Sequence, residues 1–150
     1  MKSLIIFYSY HHNNTKKIAE VLARALNAKV RSAQNTSPEK PQRYDLVGFG
    51  SGIDSGKHHK VLLDLVDRLP QVNEKKAFVF STAGMPSNKF HLELKNKLQA
   101  KGYLIVDEFV CKGFNTNSFL KLFGGINRGR PNAEDLKHAE DFAMKLRGQS

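Results

Sequence analysis

Five apolar residues in a row, Leu4-Ile-Ile-Phe-Tyr8, are followed by apolar residues at helical spacing, Ile18, Val21, Leu22, Ala25 and Leu26. An apolar run without alternation reads as a strand buried on both faces, and steps of three and four residues read as the inner face of a helix. A buried strand feeding a helix is a βα unit, the building block of parallel sheets covered by helices. The connecting stretch Ser9-Tyr-His-His-Asn-Asn-Thr15 therefore leaves the carboxyl end of a strand and opens a helix. Such a junction aims unpaired N–H groups and partial positive charge at the crevice beside the sheet, and an anion is its natural occupant.

The remaining sequence repeats this alternation. Strands are expected at Ala28 to Ser32, Asp45 to Gly50, Ala77 to Ser81 and Tyr103 to Cys111. Between the second and third, Gln34 to Arg43 holds Pro38 and Pro41 and can form at most a short helix. Helical spacing returns with Val61, Leu62, Leu65, Val66 and Leu69, and Pro70 ends it. Ser87 can cap a helix carrying Phe90, Leu94 and Leu98 that Gly102 terminates. Asn132 can cap a last helix with Leu136, Ala139, Phe142, Ala143 and Leu146 inward, its early Glu134 and Asp135 matching the helix dipole. Five strands and four helices result, a parallel α/β arrangement, and 150 residues fit one domain spanning 1–150.

Charge raises the question of nucleic acid, because the formal net charge is +10. Each half of the chain, however, holds 12 Lys+Arg and 7 Asp+Glu, so the excess is evenly spread with no basic tail or dense run. That distribution describes a solvated basic surface suited to acidic protein partners, not a nucleic-acid face. The single cysteine, Cys111, rules out an intrachain disulfide and lies in an apolar stretch that reads as core. Polar residues from Ser9 onward cut the first apolar run too short for a signal segment, and no stretch approaches the roughly 20 residues of a membrane span. A soluble, cytoplasmic protein without membrane insertion is expected.

Three loops should meet at the carboxyl edge of the sheet: Ser9 to Thr15, Ser51-Gly-Ile-Asp-Ser-Gly-Lys57 and Thr82-Ala-Gly-Met-Pro86. Glycines at 52, 56 and 84 allow close approach of a flat ligand, and hydroxyls at 51, 55, 81 and 82 offer adaptable hydrogen bonds. Each loop alone is also ordinary turn chemistry; the three together point to a ring-binding site. The pairs His11-His12 and His58-His59 permit a metal reading, but no cysteine or carboxylate cluster completes a coordination set, so phosphate contact or plain surface is the simpler assignment. Gly113 to Pro131, with Phe114, Phe119, Phe123, Arg128 and Arg130, is long for a βα loop and reads either as a lid or docking surface or as an Ω-loop packing its own phenylalanines.

These motifs resemble the flavodoxin-like family of small FMN-binding proteins over essentially the whole chain. Flavodoxins carry a Ser/Thr-rich loop ending Thr-Gly-Asn-Thr after their first strand; Tyr10-His-His-Asn-Asn-Thr15 occupies that place, with Asn14 and Thr15 matching outright. Val47-Gly-Phe-Gly-Ser-Gly52 and Phe78-Val-Phe-Ser-Thr-Ala-Gly84 resemble the strand ends that flank the isoalloxazine ring. Cys111-Lys-Gly-Phe114 and Gly124 to Asn132 resemble the ending of small flavodoxin-domain proteins from anaerobes. The resemblance implies a three-layer sandwich with a five-stranded parallel sheet in order 2-1-3-4-5, and FMN at its switch point. Cofactor contacts then fall to Ser9, Tyr10, His11, His12, Asn13, Asn14 and Thr15, to Ser51, Gly52, Ile53, Asp54, Ser55 and Gly56, and to Ser81, Thr82, Ala83 and Gly84.

Two departures stand out. Asn13 replaces the phosphate-loop glycine, a residue tolerant of left-handed geometry, while His11 and His12 replace hydroxyls. Asp54-Ser55 stands where relatives commonly have an aromatic residue, and the chain has no tryptophan, so the ring's stacking partner is unassigned. The resemblance implies no metal and no catalytic side chain. The lead expectation is a carrier of low-potential electrons between redox partner proteins. An FMN-dependent oxidoreductase of the quinone or protoporphyrinogen reductase type, and a non-redox module that has lost tight FMN binding, stay open.

Overall fold

A computed structural model of the chain describes residues 1–9, 14–84, 87–112 and 131–148. In chain order the elements are β1 (Ser3–Tyr8), α1 (Asn14–Leu26), β2 (Lys29–Ser32), β3 (Leu46–Asp54), β4 (Lys57–His58), α2 (Lys60–Asp67), β5 (Lys75–Ala83), α3 (Leu92–Ala100), β6 (Tyr103–Lys112) and α4 (Ala133–Gly148). Short 3-10 turns cover Ala33–Asn35, Pro41–Arg43 and Asn88–His91. Between β2 and β3 the two prolines thus allow only isolated turns, as expected.

Five parallel strands run in the order β2-β1-β3-β5-β6, the expected order with the short β4 added antiparallel beside β3. Alternate residues of each central strand feed separate cores. Leu4 and Ile6 of β1, Val47 and Phe49 of β3 and Ala77 and Val79 of β5 pack with α2 and α3, through Leu62, Leu65, Val66, Leu94 and Leu98. Ile5, Phe78 and Phe80 pack with α1 and α4, through Ile18, Leu22, Ala139, Ala143 and Leu146. Both sheet faces are therefore dry, which is why the strands read as apolar runs. Cys111 is buried in the second core, as its position in the sequence indicated.

Glycines in β3 serve packing. Gly48 and Gly50 pair with Phe78 and Phe80 of β5, and a Cβ at either glycine would fall 2.3 Å from the neighbouring ring. The two phenyl rings lie where those side chains would stand.

One expectation about this region is corrected. Ser51 to Lys57 is not a loop: β3 continues through Asp54, and β4 returns along it after a two-residue turn. Ser55 and Gly56 both have positive φ, +54° and +80°, which is the type I′ geometry that matches strand twist in tight hairpins. Strand continuation wins over turn chemistry because β3 stays bonded to β5 as far as the Gly52↔Thr82 pair and then to β4.

Candidate functional site

The register brings four strand ends to one level. Tyr8 pairs with Ser51, Ser51 with Ser81 and Ser81 with Val110, so the ends of β1, β3, β5 and β6 lie side by side. The chain runs from β1 to β2 on one side and reaches β3 on the other, which makes the β1/β3 boundary the switch point of the sheet. There α1 begins at Asn14 with no acidic residue in its first turn and with Lys16 and Lys17 in it.

Hydroxyls stitch this edge together from inside. Thr15 Oγ1 lies 2.8 Å from Thr82 Oγ1 in a buried bond that ties the start of α1 to the end of β5. Ser51, fully buried, donates to the Gly52 carbonyl at 2.6 Å and accepts from the His59 amide at 2.9 Å, fixing the hairpin to the start of α2. Ser81, also buried, bonds His91 Nε2 at 2.7 Å. The hydroxyls expected to face a ligand at 51, 81 and 82 are thus engaged in the protein, and Ser55 at the hairpin tip is the exposed one of the four.

Ser9, Asn14, Gly52, Ile53, Ala83 and Gly84 are partly exposed at the edge, and Asp54, Ser55 and Gly56 are exposed. Among the described residues, a Cβ at Gly52 would meet nothing closer than Thr82 at 3.9 Å, and one at Gly56 nothing within 4 Å. Relative to those residues the hairpin leaves open space that side chains would narrow. Tyr10, His11, His12 and Asn13 lie outside the described residues, as do Met85, Pro86 and all but Pro131 of the expected lid or docking segment from Gly113 to Pro131.

Of the two histidine pairs, the described one, His58-His59, departs from the surface or phosphate-contact assignment. His58 is 1% exposed, and its Nε2 lies 2.9 Å from the Phe80 carbonyl; burial pushes its pKa down to about 3. His59 caps α2, its Nδ1 accepting from the Val61 amide at 3.1 Å while its ring packs 4.3 Å from that of Tyr8. No group of three or more metal-ligating side chains occurs among the described residues. Sequence reasoning missed His91, which is fully buried and bonded through Nδ1 to Glu108 at 2.9 Å; the signal was the Asp107-Glu108 pair in the middle of an apolar strand pattern, of which the partly buried carboxylate needs a partner.

A family model described as Flavodoxin domain matches residues 5–126. This chain belongs to the flavodoxin-domain family. An uncharacterized protein of Methanocaldococcus jannaschii is 49% identical over 148 residues, covering 97% of this chain and 98% of its own length. Among solved structures, oxidised Flavodoxin 2 from Bacillus cereus has a TM-score of 0.76 at 16% identity, each chain covered in full. A flavodoxin from the domain Archaea has 0.69 at 17% identity, covering 99% of this chain and 98% of that one. Family membership implies a flavin cofactor, and the open glycine-edged hairpin beside a helix start free of acidic residues fits one.

Proposed function

We propose that this flavodoxin-domain protein binds FMN and carries low-potential electrons between redox partner proteins. The observation that carries the reading is the alignment of Tyr8, Ser51 and Ser81 at the switch point, which sets the start of α1 next to the open Gly52 to Gly56 hairpin. Residues 9–15 would take the phosphate, with the α1 amides and Lys16 or Lys17 supplying positive charge. The ring would lie between Gly52 to Gly56 and Ser81 to Gly84, where main-chain groups do the holding because Ser51, Ser81 and Thr82 are engaged inside. FMN supplies one- and two-electron chemistry when bound.

A carrier is favoured over a substrate-specific enzyme because the imidazoles next to this edge, His58 and His91, are buried and bonded inside the protein, to the Phe80 carbonyl and to Ser81 and Glu108, and do not face a substrate. A basic surface of net charge +10 favours acidic redox partners. The test is an FMN titration of the purified protein, followed by flavin fluorescence and then by the visible spectrum during anaerobic photoreduction. Tight stoichiometric quenching with reversible reduction and no turnover of quinones supports the reading. Rapid quinone turnover would instead make the protein a reductase, and no binding at tens of micromolar would make it a non-redox module.

A further inference from the structure

A chain of hydrogen bonds runs from the end of β5 to the protein surface. Ser81 Oγ lies 2.7 Å from His91 Nε2, His91 Nδ1 lies 2.9 Å from Glu108 Oε1, and Glu108 Oε2 accepts from Lys95 Nζ at 2.9 Å. Ser81 and His91 are buried, whereas the side chains of Glu108 and Lys95 each keep 26% of their surface exposed. His58 stands beside the chain, its ring centroid 5.0 Å from that of His91.

The partners fix the protons. A carbonyl only accepts, so His58 carries its hydrogen on Nε2 toward Phe80, and its buried Nδ1 is a bare acceptor without a partner. A carboxylate likewise only accepts, so His91 carries its hydrogen on Nδ1 and accepts the Ser81 O–H at Nε2. The titratable groups facing His91 are His58 from β4, Glu108 from β6 and Lys95 from α3. Burial pushes the His91 pKa below the ordinary imidazole value, Glu108 opposes that shift and Lys95 adds to it. Both rings are neutral at pH 7. A negative charge arriving nearby would favour a proton on the ring that already faces a carboxylate.

We propose that His91 is a proton-holding residue for the ring site, taking up one proton from solvent when negative charge arrives beside Thr82 to Gly84 and returning it when the charge leaves. This deepens the FMN reading and rests on it. The proton lands on Nε2, the ring nitrogen that lacks one, and Ser81 Oγ turns from donor to acceptor. Glu108, held by Lys95, faces the resulting cation. His58 stays neutral, because two adjacent buried imidazoles cannot both be charged.

The experiment uses the FMN-loaded protein and two readouts. Midpoint potential is measured from about pH 5 to pH 9, and histidine ring nitrogens are followed by NMR in the flavin-free, oxidised and reduced protein. Wild type is expected to show a proton-linked bend in potential, with His91 turning to the imidazolium pattern on reduction at a pH where it is neutral before. Glu108→Gln removes the facing charge and is expected to move the bend by about one pH unit or more to lower pH; His91→Gln is expected to abolish it. Because His91→Gln removes a buried group and can impair folding, Glu108→Gln at a partly exposed position and the wild-type NMR signal carry the decision. If flavin is held but His91 stays neutral on reduction, or Glu108→Gln leaves the bend in place, this inference alone falls. If no flavin is retained, the proposed function falls and the inference with it.

Discussion

His58 is the residue whose environment most directly sets a solution property. Its folded pKa of about 3 lies below the unfolded value of 6.5, so the unfolded chain binds the extra proton between those limits. Its stabilising effect is therefore complete above pH 6.5 and is lost as pH falls toward 3, amounting to about 2 kcal/mol by pH 5. Denaturation at pH 7 and pH 5 should show that loss in the wild type, and a smaller one in His58→Phe. Glycines separate by cause in the same way. Gly50→Ala puts a Cβ 2.3 Å from a Phe80 ring atom in a closed core and should cost about 1–3 kcal/mol. Gly56→Ala meets open space and carries only the strain of φ +80°, about 1 kcal/mol.

At the scale of elements, helix ends carry specific polar devices. Asn132 and Asp135 cap α4 reciprocally: the Asp135 amide donates to Asn132 Oδ1 at 3.0 Å, and the Asn132 amide donates to Asp135 Oδ2 at 2.8 Å. Asn132→Ala should lower stability by about 1 kcal/mol in urea titrations, and the double variant with Asp135→Ala should lose less than the sum of the two. The cap at Asn132 was legible because an Asx residue directly precedes the apolar spacing of α4. Strand continuation through Ser51 to Asp54 was not, since Ser-Gly-Ile-Asp-Ser-Gly carries turn residues and no apolar alternation, and only pairing with β5 and β4 makes it extended. Ser55→Asn, a better residue for φ +54°, should raise stability by a few tenths of a kcal/mol in urea titrations of the flavin-free protein.

For the molecule as a whole, the net charge of +10 sets the field at a flavin bound on this edge. At an effective dielectric of about 40, one positive charge roughly 10 Å from the ring favours an added electron by about 0.8 kcal/mol. The potential of the second one-electron step should lie less negative than in acidic flavodoxins and move back as salt rises from about 0.05 to 0.5 M, in a spectroelectrochemical titration. A potential insensitive to salt would assign the offset to groups next to the ring instead. Among the described residues, helix-surface pairs such as Lys60 with Asp64 and Lys137 with Asp141 are exposed and add little to stability.

The order of strands and helices along the chain and the two dry sheet faces followed from apolar spacing, because periodicity reports which side of each element is buried. Which hydroxyl faces a ligand and which holds the protein together did not. Ser51, Ser81 and Thr82 look alike in sequence to Ser55, and their roles depend on partners 8, 10 and 67 residues away that the sheet register brings within hydrogen-bond distance. The same holds for His91 and Glu108, 17 residues apart, because spacing reports burial while pairing of buried polar groups is decided in space.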